Sequence, residues 1–253
     1  MEISIKKSFE YIKNDPKIVK KVVIAALFSA ISVAFGIFDI VSQLQKVELG
    51  AIYYLIEVIY SLFFACLMCG YYSSVINQKL IQPESNLPEW DNIKRITLRG
   101  VKLYIPIIIT TLALGIIFVP MIIGAGAYLA ISSMQAGGVN FVAVLLFSAI
   151  VTLYILFVSI VALAQSMAFS TNLKFKSAFD FALIKKIIFK DFKFFINYNI
   201  KVFLVSLVWY LLLILCSITI IGVLLIPVLG FIYTVIVADL SAQYIKELFA
   251  VNR

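Results

Sequence analysis

The chain has 253 residues, of which 63% are hydrophobic and 13% are charged, and its formal net charge is +8. Its mean hydropathy is +1.08. A soluble domain carries roughly 25% charged residues, so this composition excludes a water-soluble fold and makes lipid the solvent for much of the chain. The basic residues lie between apolar runs, which favours anionic lipid headgroups over nucleic acid as the partner.

The chain is poor in residues suited to catalysis or metal binding. It has no histidine, which is the commonest general base and metal ligand. Cys66 and Cys69 form a C-x-x-C inside an apolar run without a second pair, so we interpret both as apolar filler. No phosphate-binding loop or nucleophile motif occurs in the sequence. We therefore predict a non-enzymatic protein with no catalytic residue, no metal and no cofactor.

The first unit is a basic amphipathic segment followed by two apolar runs. Ile5, Phe9 and Ile12 share one helical face, and Asp15 is a natural N-cap for the next helix. No small-residue cleavage motif follows the run 22–38, so we expect a retained span and no signal peptide. The run 49–76 forms the second span, since about 20 apolar residues cross a bilayer.

Residues 86–92, NLPEWDN, interrupt the apolar pattern and predict the start of an interfacial helix. Asn86 can cap this helix, and its first turn would contain Pro88 and Glu89. We expect Trp90 to lie in the headgroup zone, where tryptophan is enriched. A basic stripe for lipid headgroups would follow at Arg95, Arg99 and Lys102.

The remaining chain predicts four further spans. Residues 103–173 carry no charge and divide at the polar and glycine-rich stretch 132–140. A third interfacial helix begins with a cap at Ser177, and its basic face contains Lys186, Lys190 and Lys193. Residues 202–244 hold the last two spans, with a tight reversal at 217–222. A re-entrant break between Gly222 and Gly230 is the alternative there.

The basic residues sort to one face of this arrangement. With six spans, 20 of the 21 lysines and arginines fall on the side of the two termini, and only Lys46 falls on the other side. The positive-inside rule then places both termini in the cytoplasm of a multi-pass cell-membrane protein.

The predicted fold is all-α, a polytopic transmembrane helix bundle with six spans and interfacial amphipathic helices on the cytoplasmic side. The single membrane domain 1–253 divides into three units, 1–75, 76–168 and 169–253. Each unit is an interfacial helix followed by a transmembrane hairpin.

Several short phrases carry a family resemblance. Asp15-Pro16-Lys17, Gly70-Tyr71, the LPEWD phrase 87–91, Gly100 and the SAFD phrase 177–180 stand in the order found in one group of membrane proteins. On these phrases the chain resembles the domain of unknown function 4013 family of archaeal and bacterial integral membrane proteins. The resemblance implies a membrane bundle and brings no activity, cofactor or catalytic residue with it.

Three polar residues inside the spans are candidates for a functional role. Burying a charge in hydrocarbon is costly, which singles out Glu57 and Asp239, with Gln165 as a milder candidate. For each, the alternative is a polar group that reaches the interface or bonds another helix.

Two functional hypotheses follow from these residues. One is a non-enzymatic protein that organises anionic lipids or a partner, which could be a second copy or another membrane protein. The other is a small transporter or channel subunit that uses Glu57, Gln165 and Asp239.

Overall fold

The structure, a computed structural model, describes residues 3–136, 138 and 140–250. This part of the chain folds into eight α-helices and one short 3-10 helix and contains no strand, which confirms the predicted all-α class. The helices are α1 (Ile5–Lys13), α2 (Ile18–Gln45), α3 (Ala51–Ile81), α4 (Ile93–Ala136), α5 (Phe141–Ser170), α6 (Phe181–Phe189), α7 (Phe192–Ser217) and α8 (Ile220–Ala250), with the 3-10 helix at Phe175–Phe179.

Six of these helices are long and apolar enough to cross a membrane. They are α2, α3, α4, α5, α7 and the part of α8 from Leu225 onward, and each contains at least 26 residues. An untilted crossing needs about 20 residues, so each helix is long enough to span the hydrocarbon. The prediction of six spans is confirmed, and the chain is a multi-pass membrane protein.

The turns between the later spans lie where the sequence predicts them. Asn140 caps α5, because its Oδ1 accepts hydrogen bonds from the backbone N–H groups of Val142 and Ala143. Residues 137 and 139 of the predicted break lie outside the described residues.

The reversal between α7 and α8 occupies only Ile218 and Thr219, which confirms the tight turn predicted at 217–222. Helix α8 then continues through Pro227 to Ala250 without interruption. The alternative of a re-entrant break is therefore wrong.

The predicted interfacial helix that starts at Asn86 is wrong. Residues 82–92 are irregular, and α4 begins at Ile93 with Asn92 as its cap, since Asn92 Oδ1 accepts from the Arg95 N–H. The backbone before α4 has other partners, because Leu87 N–H donates to Asp15 and Pro88 C=O accepts from a tyrosine of α3. The basic stripe Arg95, Arg99 and Lys102 therefore belongs to the first turns of α4 itself.

The third interfacial segment is two helices rather than the single helix predicted from Ser177. Asp180 caps α6 by accepting from the Leu183 N–H, and Asp191 caps α7 by accepting from the Phe194 N–H. Lys193 therefore lies on α7, while Lys186 lies on α6. That α1 and α6 lie in the membrane interface stays a prediction, as does the division into three units.

The buried core lies at the end of the bundle where the lysine- and arginine-rich segments before α2, between α3 and α4 and between α5 and α7 come together. Hydrogen bonds join these segments: Lys21 Nζ donates to Leu87 O, Asn77 Nδ2 to Ser170 O and Lys190 Nζ to Leu248 O. We call this region, residues 3–21, 76–103, 165–201 and 239–250, the basic end. Away from it the spans expose large apolar side chains, among them Leu112 and Ile116 of α4.

Candidate functional site

A row of polar contacts fastens α1 to the last part of α8. Ser8 faces inward between apolar neighbours of α1, and its Oγ donates to Asp239 Oδ2 at 2.7 Å. Gln243, one turn after Asp239, donates to the same oxygen at 2.7 Å and accepts from the Ser4 N–H at 2.8 Å. Ser8 and Asp239 are 0% and 3% exposed, so this buried carboxylate is held by hydrogen bonds across two helices.

Lys79, near the end of α3, completes this cluster. Its Nζ lies 3.8 Å from Asp239 Oδ1, donates to Pro83 O at 2.9 Å and sits 3.6 Å from the ring centroid of Tyr11. A cation over an aromatic face at this distance is attracted by the ring quadrupole. Three different contacts therefore fix the ammonium group of Lys79.

Two neighbouring cavities open beside Lys79. The first, which we call the basic-end cavity, has a volume of about 230 Å³ and is lined by Lys7, Lys79, Pro83, Asp239, Ala242, Gln243, Lys246 and Glu247. The second, of about 250 Å³, shares Lys7 and Lys79 with the first and is also lined by Tyr11. Lys7 and Lys79 thus stand between two spaces at the basic end.

Tyr11 carries a polar atom that its neighbours leave unsatisfied. Its buried hydroxyl makes no hydrogen bond to any residue that the structure describes. Burial raises the pKa of Tyr11 well above its usual value, and the nearby carboxylates Asp239 and Asp15 raise it further. The phenol is therefore neutral at physiological pH and can donate a hydrogen bond.

A second cluster, which we call the Asp15 clasp, joins the start of α2 to the segment before α4. Lys21 Nζ and Asp15 Oδ2 are 2.8 Å apart, and their side chains are 1% and 0% exposed. Asp15 also accepts from the Lys17 and Leu87 N–H groups. Burial acts to raise the pKa of Asp15, but the hydrogen bonds from Lys21, Lys17 and Leu87 outweigh it and hold that pKa below its ordinary value.

Trp90 belongs to this clasp and is packed against protein, while its expected level in the headgroup zone stays a prediction. Its side chain is 6% exposed and stacks on Tyr71 with ring centroids 4.3 Å apart. Its Nε1–H donates to Lys21 O at 3.2 Å. A buried indole needs a partner for its N–H, and here the protein backbone supplies that partner instead of the interface.

Two glycines bring α3 and α4 into backbone contact beside the clasp. A Cβ on Gly70 would lie 1.9 Å from Ile96 O, and a Cβ on Gly100 would lie 1.6 Å from Cys66 O. Only glycine leaves room for such an approach, which is common where membrane helices cross closely. The pair thereby sets the position of the first turns of α4.

The three intramembrane candidates do not come together. Asp239 lines the basic-end cavity, whereas Glu57 lies two turns into α3 at the opposite end. Gln165 is 0% exposed and bonds other helical segments, donating to Thr110 Oγ1 at 2.7 Å and to Ala178 O at 3.3 Å. No group of three or more metal-binding side chains occurs among the described residues.

The predicted headgroup residues divide into exposed and engaged side chains. Arg95, Lys102 and Lys193 are exposed at the basic end. Arg99 is partly buried, and its Nη1 donates to Ser74 Oγ at 2.9 Å. Lys186 and Lys190 are exposed as residues, yet their Nζ atoms lie 4.9 and 5.8 Å from the ring of Phe249.

Sequence reasoning missed Lys7, Ser8, Lys79, Gln243 and Lys246 as members of one site. Two of them carried a readable signal: Ser8 interrupts the apolar face of α1, and Gln243 follows Asp239 at helical spacing. The lysines looked like ordinary flanking charges, because nothing local marks which of them face a common cavity.

A family model, described as a protein of unknown function (DUF4013), matches residues 52–218 of the chain. This match covers well over half of the sequence and confirms the resemblance drawn from the short phrases. The chain belongs to the DUF4013 family. No curated protein and no solved structure matches it.

Four of the five sequence features that identified the DUF4013 resemblance meet in space. Asp15 binds the LPEWD phrase at Leu87, Tyr71 donates to Pro88 O at 3.0 Å, and Gly100 crosses Gly70. Residues 70–71, 87–91 and 100 lie within the part that matches DUF4013, whereas Asp15 precedes it. These four features are thus parts of one packing unit at the basic end.

Proposed function

We propose that this DUF4013 protein is a non-enzymatic protein of the cell membrane that organises anionic lipids around its basic end, with both termini in the cytoplasm. One observation carries the proposal. Exposed basic side chains from separate segments, such as Arg95, Lys102 and Lys193, gather at the end that also holds the buried core. Each lysine or arginine near an anionic membrane surface contributes about 1 kcal/mol of attraction.

The sides of the bundle suit an apolar environment. Large side chains along α2, α3, α4, α5 and α7 are exposed, and contiguous apolar surface of this kind marks a membrane or partner contact. We take the lipid bilayer as the main partner, and a second copy of the chain or another membrane protein as a further one. Nucleic acid has no role in this proposal.

The polar residues of the basic end support a binding role more than a catalytic one. Asp239 Oδ2 already accepts hydrogen bonds from Ser8 and Gln243, and Asp15 is paired with Lys21. Carboxylates engaged in this way position helices and are poorly placed to exchange protons with a substrate. The proposal therefore includes no reaction and no cofactor.

The transporter alternative has less support. Glu57 and Lys79, the neighbour of Asp239, are separated by roughly 33 Å along α3 at about 1.5 Å per residue. The two acids therefore cannot share one binding site. Gln165 is bound to Thr110 and Ala178 instead of facing either acid.

Neutralising exposed charges of α4 tests the lipid proposal. We expect the triple variant Lys94→Gln, Arg95→Gln and Lys102→Gln to lose a measurable part of the protein's preference for anionic over zwitterionic lipid, at about 1 kcal/mol per charge. The preference is measured as the enrichment of anionic lipid around the full-length protein in mixed vesicles, at low and at high salt.

A charge-conserving variant is the matched control. Lys94→Arg, Arg95→Lys and Lys102→Arg keep the positive charge and should keep the enrichment. If the neutralised variant enriches anionic lipid as strongly as the unmodified protein, or if salt has no effect, the proposed function is wrong.

A further inference from the structure

The basic-end cavity combines three lysines from three different helices. Lys7 comes from α1, Lys79 from α3 and Lys246 from α8, and all three line the same space. Lys7 and Lys246 are exposed, and neither forms an ion pair with any residue that the structure describes. Like charges repel, so their convergence on one cavity without partners favours an anion between them.

The acids of the cavity do not cancel this charge. The charge of Asp239 is balanced by that of Lys79, whose Nζ lies 3.8 Å away, while Ser8 and Gln243 hold the carboxylate in place by hydrogen bonds. Glu247 is then the remaining carboxylate on the lining, against Lys7 and Lys246. The cavity therefore keeps a net positive charge.

Lys79 is already held in the position that a binding site requires. Its contacts with Pro83, Asp239 and Tyr11 fix the ammonium group before any ligand arrives. A fixed donor loses little side-chain entropy when it binds, which improves affinity. Asp239 acts here as a positioning residue for Lys79.

The size of the cavity and its position near the end of α3 restrict the kinds of ligand that it can bind. A volume of about 230 Å³ greatly exceeds the roughly 10–15 Å³ that one water needs, so a tetrahedral oxyanion with part of its hydration shell fits. Lys79 lies two residues before the end of α3 and three residues after the apolar run 49–76 that is expected to cross the membrane, so it belongs on the membrane-surface side of that run. Phosphate groups of lipids lie at this level, and lysine binds phosphate as a compact charge.

We propose that the basic-end cavity binds a single phosphate group between Lys7, Lys79 and Lys246. This inference rests on the proposed function and deepens it, since it names one saturable site within a basic surface. The phosphate comes from a lipid headgroup or from a free phosphate ester, and both have the same binding chemistry.

Native mass spectrometry of the purified full-length protein tests the site. The protein is titrated with phosphatidylglycerol, with phosphatidylcholine and, separately, with glycerol phosphate. We expect one phosphate ligand to bind saturably. The double variant Lys7→Gln and Lys246→Gln should weaken that binding at least about tenfold, because it removes two of the three charges. Both lysines are exposed, so their loss leaves the core intact.

The matched control removes two other exposed charges from the basic end. Lys185→Gln and Lys193→Gln, which do not line the cavity, should change the affinity by less than about twofold. Saturable binding of phosphatidylglycerol alone identifies a lipid headgroup, and saturable binding of glycerol phosphate identifies a soluble ester. The proposal is overturned if neither binds saturably, or if both double variants weaken binding equally.

This titration, taken together with the lipid enrichment measured in mixed vesicles, separates this inference from the proposed function. If salt-sensitive enrichment of anionic lipid persists without a saturable site, only the cavity proposal fails. If the enrichment is also absent, the proposed function fails with it.

Discussion

Individual residues at the basic end have partners that are far away along the chain. Asp15 reads locally as the N-cap of the next helix, but that prediction is wrong, because α2 begins at Ile18 with Lys17 at its N-cap. The Asp15 carboxylate accepts instead from the Lys17 N–H in the turn before the helix. Its other contacts, however, are with Lys21 and with Leu87, which is 72 positions away. The local pattern therefore marks Asp15 as a hydrogen-bonding residue and misses most of what it binds.

The buried pair in the Asp15 clasp should be sensitive to the loss of one partner. We expect Asp15→Asn to lower the free energy of unfolding by about 1.5–3 kcal/mol, because Lys21 would lose its buried partner at 2.8 Å and keep only Glu89 at 3.4 Å as a counter-ion. Unfolding in detergent, followed by circular dichroism and denaturant, measures the change. Asp91→Asn is the control, since Asp91 is exposed, and a similar loss in both variants would contradict the role of the clasp.

The same variant should alter the response to acid. The pKa of Asp15 is lowered in the folded state, so its contribution is complete above the unfolded value of about 3.9 and is lost as the pH falls through the folded value. In an unfolding series from pH 7 to pH 3, the unmodified protein should lose this contribution below about pH 4. Asp15→Asn should lack that part of the acid sensitivity.

At the scale of elements, the crossing of α3 and α4 depends on two small residues. A glycine inside an apolar run predicts a weak point in a helix, yet Gly70 and Gly100 lie within continuous helices. The role of each glycine depends on the facing helix, because a Cβ on the glycine would collide with the backbone of that helix.

Substituting one of these glycines should separate the two helices. We expect Gly100→Ala to destabilise the protein by at least about 1–3 kcal/mol, because a Cβ there would meet Cys66 O and force a backbone shift. The melting temperature in detergent measures the effect.

A glycine on the same helix provides the comparison. A Cβ on Gly124 would meet nothing within 4 Å, so Gly124→Ala should be neutral or slightly stabilising. If both substitutions destabilised the protein equally, the close helix crossing would not be the reason that position 100 requires glycine.

The irregular segment before α4 shows why an element can be misjudged from its residues. Asn86, Pro88 and Glu89 have the chemistry of a helix start, but the backbone at 87–88 is already bonded to Asp15 and Tyr71. Tertiary hydrogen bonds satisfied the groups that a helix would have used. Asn92, six residues after Asn86, caps α4 instead, because its side-chain amide has the same hydrogen-bonding groups as that of Asn86.

At the scale of the whole molecule, the four segments of the basic end form one surface although they are far apart in sequence. An even number of spans between them returns the chain to the same end each time, and six helices can cross a membrane. The core is concentrated at that end, and the spans beyond it remain exposed to their surroundings. The same fold therefore has exposed apolar sides that suit lipid and a basic surface at one end.

Labelling from each side of the membrane tests this topology. Single cysteines at Asp91, Lys185 and Glu48, in a variant without Cys66, Cys69 and Cys216, would be exposed to a membrane-impermeant reagent. We expect positions 91 and 185 to react in inside-out vesicles and position 48 in right-side-out cells, because basic loops stay in the cytoplasm. Labelling of 91 and 185 from opposite sides would overturn both the orientation and the six-span order.

The sequence by itself determined the number of spans, their approximate bounds and the single end to which the basic residues return. These properties depend on apolar length and on the placement of charge, which every segment carries locally. Only the tertiary structure decided that Trp90 is buried, that Gly100 meets Cys66 and that Lys7, Lys79 and Lys246 share a cavity. Such contacts join residues from different helices, and their geometry is set by how those helices cross, which no local pattern encodes.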